Sequence, residues 1–180
     1  ELKNTFCVLR DGQAILSHHM GDLADARCHA DYRQSIDAYQ HLFKHEARCI
    51  AIDRHPEYLS SKAGRVMAGT ANLQIEEVQH HHAHITSCMA ENGITLNAGP
   101  VIGIALDGLG YGADGSLWGG EFLLADYRQF QRIARFKPVA MPGGEQAIHE
   151  PWRNTYAQLM AAMTWERFAA HYDQMDLYRF

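Results

Sequence analysis

Four histidines fall within five positions in Gln79-His80-His81-His82-Ala83-His84, and they are the residues of this chain best suited to chemistry. On a helix that opens at this stretch, His80 and His84 stand four residues apart on one face. That spacing lets two imidazoles hold one metal ion. The positive end of a helix dipole disfavours imidazolium there and leaves the neutral ring, which is the metal-binding form. His81 and His82 would point elsewhere. An exposed polar helix start without metal is the alternative reading. A third candidate ligand is Asp107, where the run from Pro100 to Leu106 reads as a strand that emerges on a carboxylate. Two histidines and a carboxylate suit iron, zinc or manganese better than calcium.

Six glycines fall between 108 and 120, directly after that carboxylate. Gly110, Gly112 and Gly115 satisfy G-x-G-x-x-G, but a dinucleotide fingerprint needs a helix to follow. Here Glu121-Phe122-Leu123-Leu124-Ala125-Asp126 reads as a strand. The stretch is therefore expected to be a glycine-rich turn between two strands, where Gly108, Gly110 and Gly112 let backbone amides approach a phosphate. A long hairpin loop is the other possibility. Lys3 and Asn4 precede the first strand, where they meet a partner phosphate or merely form a solvated chain start. A metal beside a phosphate loop suggests metal-assisted phosphate or acyl chemistry.

The elements that position these residues follow from periodicity. Residues 5–18 read as a β-hairpin about Asp11-Gly12. A helix is predicted over 30–45, on the spacing of Ile36, Tyr39, Leu42 and Phe43. A strand over 47–53 ends on Asp53, and Arg54-His55-Pro56 forms a loop; Asp53 and His55 are either functional or part of a capping turn. A helix over 58–69 is expected to stop at Gly69. A strand over 73–78 leads into the histidines, whose helix has Ile85, Cys88 and Met89 as its core stripe and ends at Asn92-Gly93. The unbroken apolar run of 100–107 predicts a strand buried on both faces, as in a parallel sheet. A strand over 131–139, a turn at 141–145 and a long helix over 146–171, interrupted at Pro151, complete the chain. Strand–helix alternation from 30 to 107 argues for βαβ units in an α/β fold.

Composition sets the bounds. With 180 residues, 47% apolar and 21% charged, the chain suffices for one well-buried domain or one lobe of a larger one. A net charge of -5 gives no basic footprint for nucleic acid. Four scattered cysteines without a C-x-x-C pair read as free thiols in a reducing, cytoplasmic compartment. No apolar run reaches membrane-spanning length. The chain begins without Met and ends at Tyr178-Arg179-Phe180 just after a helical pattern, as expected of a piece of something longer.

Three runs carry a resemblance: V-Q-H-H-H-A-H at 78–84, A-L-D-G-L-G-Y-G-A-D-G-S-L-W-G-G-E at 105–121 and P-G-G-E-Q-A-I-H-E-P-W-R at 142–153. Together with the opening E-L-K-N-T-F-C, they resemble the hydrogenase-maturation carbamoyltransferase family HypF. The resemblance is to part of that family's C-terminal domain, itself similar to the tRNA threonylcarbamoyl-adenosine synthase (TsaD-like) domain. It implies an actin/sugar-kinase-like (ASKHA) fold of two lobes. Residues 1–180 would be the first, N-terminal lobe, a mixed sheet with flanking helices. It also implies carbamoyl transfer. Carbamoyl phosphate and ATP give carbamoyl-adenylate on another domain, and the carbamoyl group passes to the C-terminal cysteine of a HypE-type partner, for the cyanide ligand of [NiFe] hydrogenase. His80, His84 and Asp107 match the family's ligands for a divalent metal, iron or zinc, and its catalytic residues. Lys3, Asn4, Gly108, Gly110 and Gly112 match its nucleotide-facing segments.

Two departures limit the match. His149 stands where the family pattern A-I-R-E-P has Arg. A further acidic metal ligand and the adenosine-holding residues are expected beyond Phe180, and acylphosphatase, zinc-finger and adenylate-forming domains before Glu1. The chain is therefore expected not to turn over alone. An O-carbamoyltransferase of antibiotic biosynthesis, or a non-catalytic nucleotide- or metal-binding lobe, are the alternatives.

Overall fold

The computed structural model describes residues 3–172, with Leu109 and Tyr172 described by backbone only. Glu1-Leu2 of the opening motif and the closing Tyr178-Arg179-Phe180 lie outside the described residues. Two compact units divide the chain, Glu1–Ile133 and Ala134–Phe180.

The first unit opens with β1 (Cys7–Arg10) and β2 (Gln13–Leu16), paired antiparallel as a hairpin. Asp11 and Gly12 both take positive φ, 49° and 75°, the mark of the turn type whose twist suits a two-residue hairpin. Helix α1 (Ala26–Leu42) is capped by Asp25, whose side chain accepts from the amides of Arg27 and Cys28. It buries Tyr32 and Ile36 against Met20 and Leu23, whereas Leu42 is exposed. Strand β3 (Cys49–Asp53), helix α2 (Leu59–Ala71) and strand β4 (Gln74–Val78) form the expected βαβ unit, with β3 and β4 parallel. Gly69 does not stop α2. Asn72 does, in the left-handed region at φ 53°, ψ 47°.

Helix α3 (His80–Glu91) follows β4 at once and buries His81, His82, Ile85 and Met89. His81, Ile85 and Met89 recur every four residues and form the inward stripe. Cys88, expected in that stripe, is exposed. The stripe packs on β5 (Val101–Tyr111) and β6 (Leu117–Ala125), whose buried residues Ala105, Trp118, Leu123 and Ala125 complete the cluster.

Strand β5 departs from expectation. It pairs antiparallel with β6, in a three-stranded sheet ordered β5-β6-β7 with β7 (Phe130–Arg135), not in a parallel one. Only one face of β5 is covered: Ile102, Ile104 and Leu106 are 67%, 58% and 71% exposed. An unbroken apolar run does not distinguish a doubly buried strand from one with a bare face. The glycine-rich stretch also differs, because β5 continues through Gly108 and Gly110 and only residues 112–116 make the turn. At Gly110 the missing Cβ serves close packing inside a paired strand.

In the second unit the long helix expected over 146–171 is three helices: α4 (Gln146–His149), α5 (Trp152–Ala162) and α6 (Trp165–Tyr172). Pro151 breaks the first junction, as its missing N–H and ring demand. Ala147 and Phe168 are buried, and the Asn154 amide donates to the Ala147 carbonyl.

One ion pair staples the three-stranded sheet. Glu121 is 2% exposed, and Arg132 meets it bidentately, Nε–Oε2 at 2.6 Å and Nη2–Oε1 at 2.9 Å. The guanidinium also lies 4.1 Å over the Trp118 ring. Arg132→Ala strands a buried carboxylate and is expected to cost about 3–5 kcal/mol in urea unfolding. The double variant Glu121→Leu/Arg132→Met should lie within about 1 kcal/mol of the parent, because it removes both charges. Equal losses in the two variants would refute the account.

Candidate metal centre

Asp53 comes first. In the parallel register Asp53 pairs with Val78, two residues before His80, so its carboxylate reaches the first turn of α3. One oxygen accepts the His55 amide at 2.7 Å, and the other lies 2.6 Å from His80 Nδ1. A carboxylate accepts only, so Nδ1 of His80 carries a proton and Nε2 is the ring's free corner.

That corner faces two other donors. His84 Nε2 is 3.3 Å from His80 Nε2, and Asp107 Oδ2 is 3.0 Å from it. Asp107 Oδ2 and His84 Nε2 are 3.9 Å apart. The donor atoms of His80, His84 and Asp107 all lie within 4.8 Å of one another. Nitrogen and oxygen ligands at about 2.1 Å from one tetrahedral ion are roughly 3.4 Å apart, so the spacing is close to that of a ligand set. Asp107 Oδ2 is buried and has no hydrogen-bond partner, its approach to His80 being an ion-pair contact without hydrogen-bond geometry. A buried carboxylate oxygen left over among two imidazoles is what a cation site presents. The three donors fit a divalent metal.

Asp107 arrives by a bulge. Leu106 pairs with Gly120 and Gly110 with Trp118, so three residues, Asp107 to Leu109, oppose Gly119 alone. A bulge of this kind bends the strand and re-aims its side chains. A Cβ on Gly119 would sit 3.2 Å from the Asp107 carbonyl, so the backbones are nearly in contact there.

Charge follows geometry. His80 is pushed up to about 9 by the close approach of Asp107 and then by the bond to Asp53, against desolvation. Asp107 is held down at about 2, chiefly by His80. Burial pushes Asp53 up, but the bonds from His80 and the His55 amide outweigh it and its pKa is lowered. Burial lowers the pKa of His81.

Other expected site residues are placed differently. Lys3 is exposed; the Asn4 amide donates to the Gly21 carbonyl, and its own carbonyl accepts from Met20. Asn4 and Asp53 line one cavity of about 380 Å³, with Asn4 Oδ1 buried and unpartnered. Around Gly108 a Cβ would meet open space, but Gly110 lies against the His81 ring and Gly112 against the Trp118 indole. His82 Nε2 meets the Asp126 carbonyl at 2.7 Å and is a structural anchor. Asp53 was legible only as a strand-end acid; its neighbour across the parallel pair was the signal for His80.

Residues 1–91 match the HypF Kae1-like domain, and residues 103–178 match the second subdomain of the carbamoyltransferase Kae1-like domain. The chain belongs to the HypF family. It is 43% identical over 162 residues to the carbamoyltransferase HypF of Rhodobacter capsulatus, covering 90% of this chain and 22% of that protein. It is 38% identical over 166 residues to the HypF of Synechocystis sp., covering 92% and 20%. Among solved structures, full-length HypF in a phosphate- and nucleotide-bound form aligns with a TM-score of 0.75 at 43% identity, over 86% of this chain and 20% of that one. T. kodakarensis HypF aligns with a TM-score of 0.73 at 37% identity, over 82% and 19%. The chain thus spans about a fifth of the HypF proteins it matches. No helix among the described residues is long and apolar enough to cross a membrane.

The proton on His80 gives a test. Its folded pKa, about 9, lies above the ordinary 6.5, so its stabilisation of the metal-free protein is complete below 6.5 and lost as pH rises through 9. Between pH 6 and pH 10 the metal-free protein should lose on the order of 2–3 kcal/mol more than a His80→Gln variant in urea unfolding. Parallel pH profiles for the two proteins would refute it.

Proposed function

We propose that this chain is the metal-holding portion of a HypF carbamoyltransferase domain, binding a divalent iron or zinc ion through His80 Nε2, His84 Nε2 and Asp107 Oδ2. The convergence of those three donor atoms within 4.8 Å carries the reading. Family membership supports the reaction class. The bound ion would polarise the carbamoyl carbonyl or hold phosphate oxygens.

The chain's own residues do the positioning. Asp53 holds the Nδ1 proton of His80 and so turns the Nε2 lone pair toward the site. The bulge at Asp107 presents a carboxylate that α3 could not supply. In the transfer, the acceptor's C-terminal cysteine thiolate attacks the carbonyl carbon of carbamoyl-adenylate. A C–S bond forms, the C–O bond to the phosphate breaks, and AMP leaves with that electron pair. The acceptor is a HypE-type protein, and the product feeds cyanide-ligand synthesis for [NiFe] hydrogenase in the cytoplasm. ATP and carbamoyl phosphate supply the adenylate elsewhere. Lys3, Asn4 and Gly108 face the nucleotide, with Gly108 offering the open backbone, whereas Gly110 and Gly112 are buried against the His81 and Trp118 rings. The phosphate- and nucleotide-bound relative supports a nucleotide role for the domain. The ASKHA lobe assignment for residues 1–180 belongs to the same proposal.

Metal analysis of the purified protein should find one ion per chain, lost in both His80→Ala and His84→Ala. With the adenylate-forming step supplied, Asp107→Ala should slow carbamoyl transfer on the order of a hundredfold or more. Apparent metal affinity should weaken by about tenfold for each pH unit below 9, because His80 must shed a proton to bind. Full metal content in the His80→Ala/His84→Ala double variant would overturn the site.

A further inference from the structure

His81 sits between the two proposed ligands in sequence, yet the structure gives it another part. It is 0% exposed, and its Nε2 has no hydrogen-bond partner. Leaving a buried ring nitrogen unpaired costs free energy comparable to a lost hydrogen bond, so a partner is missing. The nearest candidate is Asp107 Oδ2, 4.0 Å away and itself buried and unpartnered.

Which nitrogen of His81 carries the proton follows from the helix cap. Gln79 is the N-cap of α3, and its side-chain Oε1 accepts the His82 amide at 2.8 Å. Its Nε2 therefore faces the other way, 3.2 Å from the Tyr111 carbonyl and 3.1 Å from His81 Nδ1. Flipping the amide would set oxygen against the Tyr111 carbonyl and NH2 against the His82 N–H, so the cap and the strand together fix its orientation. An amide NH2 only donates. His81 Nδ1 is then the acceptor, and the ring proton sits on Nε2.

The ring cannot turn away. A Cβ on Gly110 would lie 2.3 Å from His81 Cε1, so only glycine leaves room for it. Trp118 lies on another side, with ring centroids 5.9 Å apart.

We infer that His81 is a positioning residue, not a metal ligand: its Nε2–H faces Asp107 Oδ2 across 4.0 Å, a charge–dipole contact longer than a hydrogen bond, and helps fix that carboxylate as a ligand, with Gln79 setting the tautomer. Resting on the metal-site reading above, this assigns the adjacent histidines opposite roles at the same nitrogen. With an ion bound, His80 presents a lone pair at Nε2 because its Nδ1–H donates to Asp53. His81 presents a proton at Nε2 because Gln79 occupies its Nδ1. A carboxylate oxygen has lone pairs enough for one donor and one ion.

Nitrogen NMR of the chain labelled at the histidine rings tests this directly. His81 should show an unprotonated Nδ1 and a protonated Nε2, both without metal and after addition of Zn2+, while zinc shifts the Nε2 signals of His80 and His84. A lone pair or a bound zinc at His81 Nε2 would overturn the proposal. In zinc competition titrations, His81→Leu should weaken binding about 10- to 100-fold. His81→Gln, whose amide nitrogen reaches the Nε2 position, should recover most of that loss. Wild-type affinity in His81→Leu, or equal loss in both variants at matched metal-free melting temperatures, would also overturn it. Retention of zinc by His80→Ala would instead defeat the metal-site reading, and the NMR result would still decide the His81 tautomer.

Discussion

The parallel pairing of β3 with β4 is the constraint on which the site depends. It sets Asp53 level with Val78, so that a carboxylate at the end of one strand stands beside the helix that the other strand feeds. Asp53 is buried enough that burial alone would raise its pKa. Two hydrogen bonds offset that cost, one from the amide of His55 and one from the ring of His80. The same bond that stabilises the acid orients the imidazole. Folding energy and site geometry are therefore one interaction at this point. A one-residue slip in the pairing would turn Asp53 to the other face of the sheet and leave His80 with either nitrogen free to protonate.

The second half of the site is built differently. Helix α3 needs a flat, close approach to β5 and β6, and glycines provide it: Gly103 lies under Ile85 and Gly110 under His81, on the helix's inward stripe. A strand so rich in glycine has little side chain with which to hold its own shape. The Glu121–Arg132 pair, the Trp118 ring beneath that guanidinium and the bond from the Trp118 indole to Asp114 supply the rigidity instead. This gives a physical reason for Asp107, Gly110, Gly112, Asp114, Trp118 and Glu121 in the run from 105 to 121. The acid of the bulge, the gaps for two rings, the indole's acceptor and the buried carboxylate are separate requirements of one hairpin.

Much of this was legible in the sequence. The hairpin at Asp11-Gly12, the βαβ unit and the pairing of His80 with His84 rest on local signals, namely a turn dipeptide, alternating periodicities and an i,i+4 spacing. Asp107 was legible as a carboxylate beside the histidines but not as a bulge residue, because β5 runs on past it to Tyr111. What escaped were features that need a partner across the fold. Ile102, Ile104 and Leu106 look like a buried run, because hydrophobicity records composition and not which face finds a neighbour. Gly110 looks like a loop residue, because glycine marks both turns and close approaches. Gln79 carries no signal as the residue that fixes a tautomer, since that role exists only when the cap, the strand carbonyl and the ring meet.

The site's charge balance ties these parts together. Asp53 and Asp107 bring two negative charges to either corner of one imidazole, and His80 answers by holding its proton to about 9. The same two carboxylates favour positive charge between Asp107 and the ring. On the proposal that a divalent ion binds there, the ion takes the place of the Nε2 proton and leaves the Nδ1 proton with Asp53. Two carboxylates then balance the ion's two positive charges without a residual charge in a half-buried pocket. His84 adds a neutral donor, and His81 adds a neutral N–H, so neither disturbs that balance. The loss of Asp53 would leave this set of ligands and ion cationic.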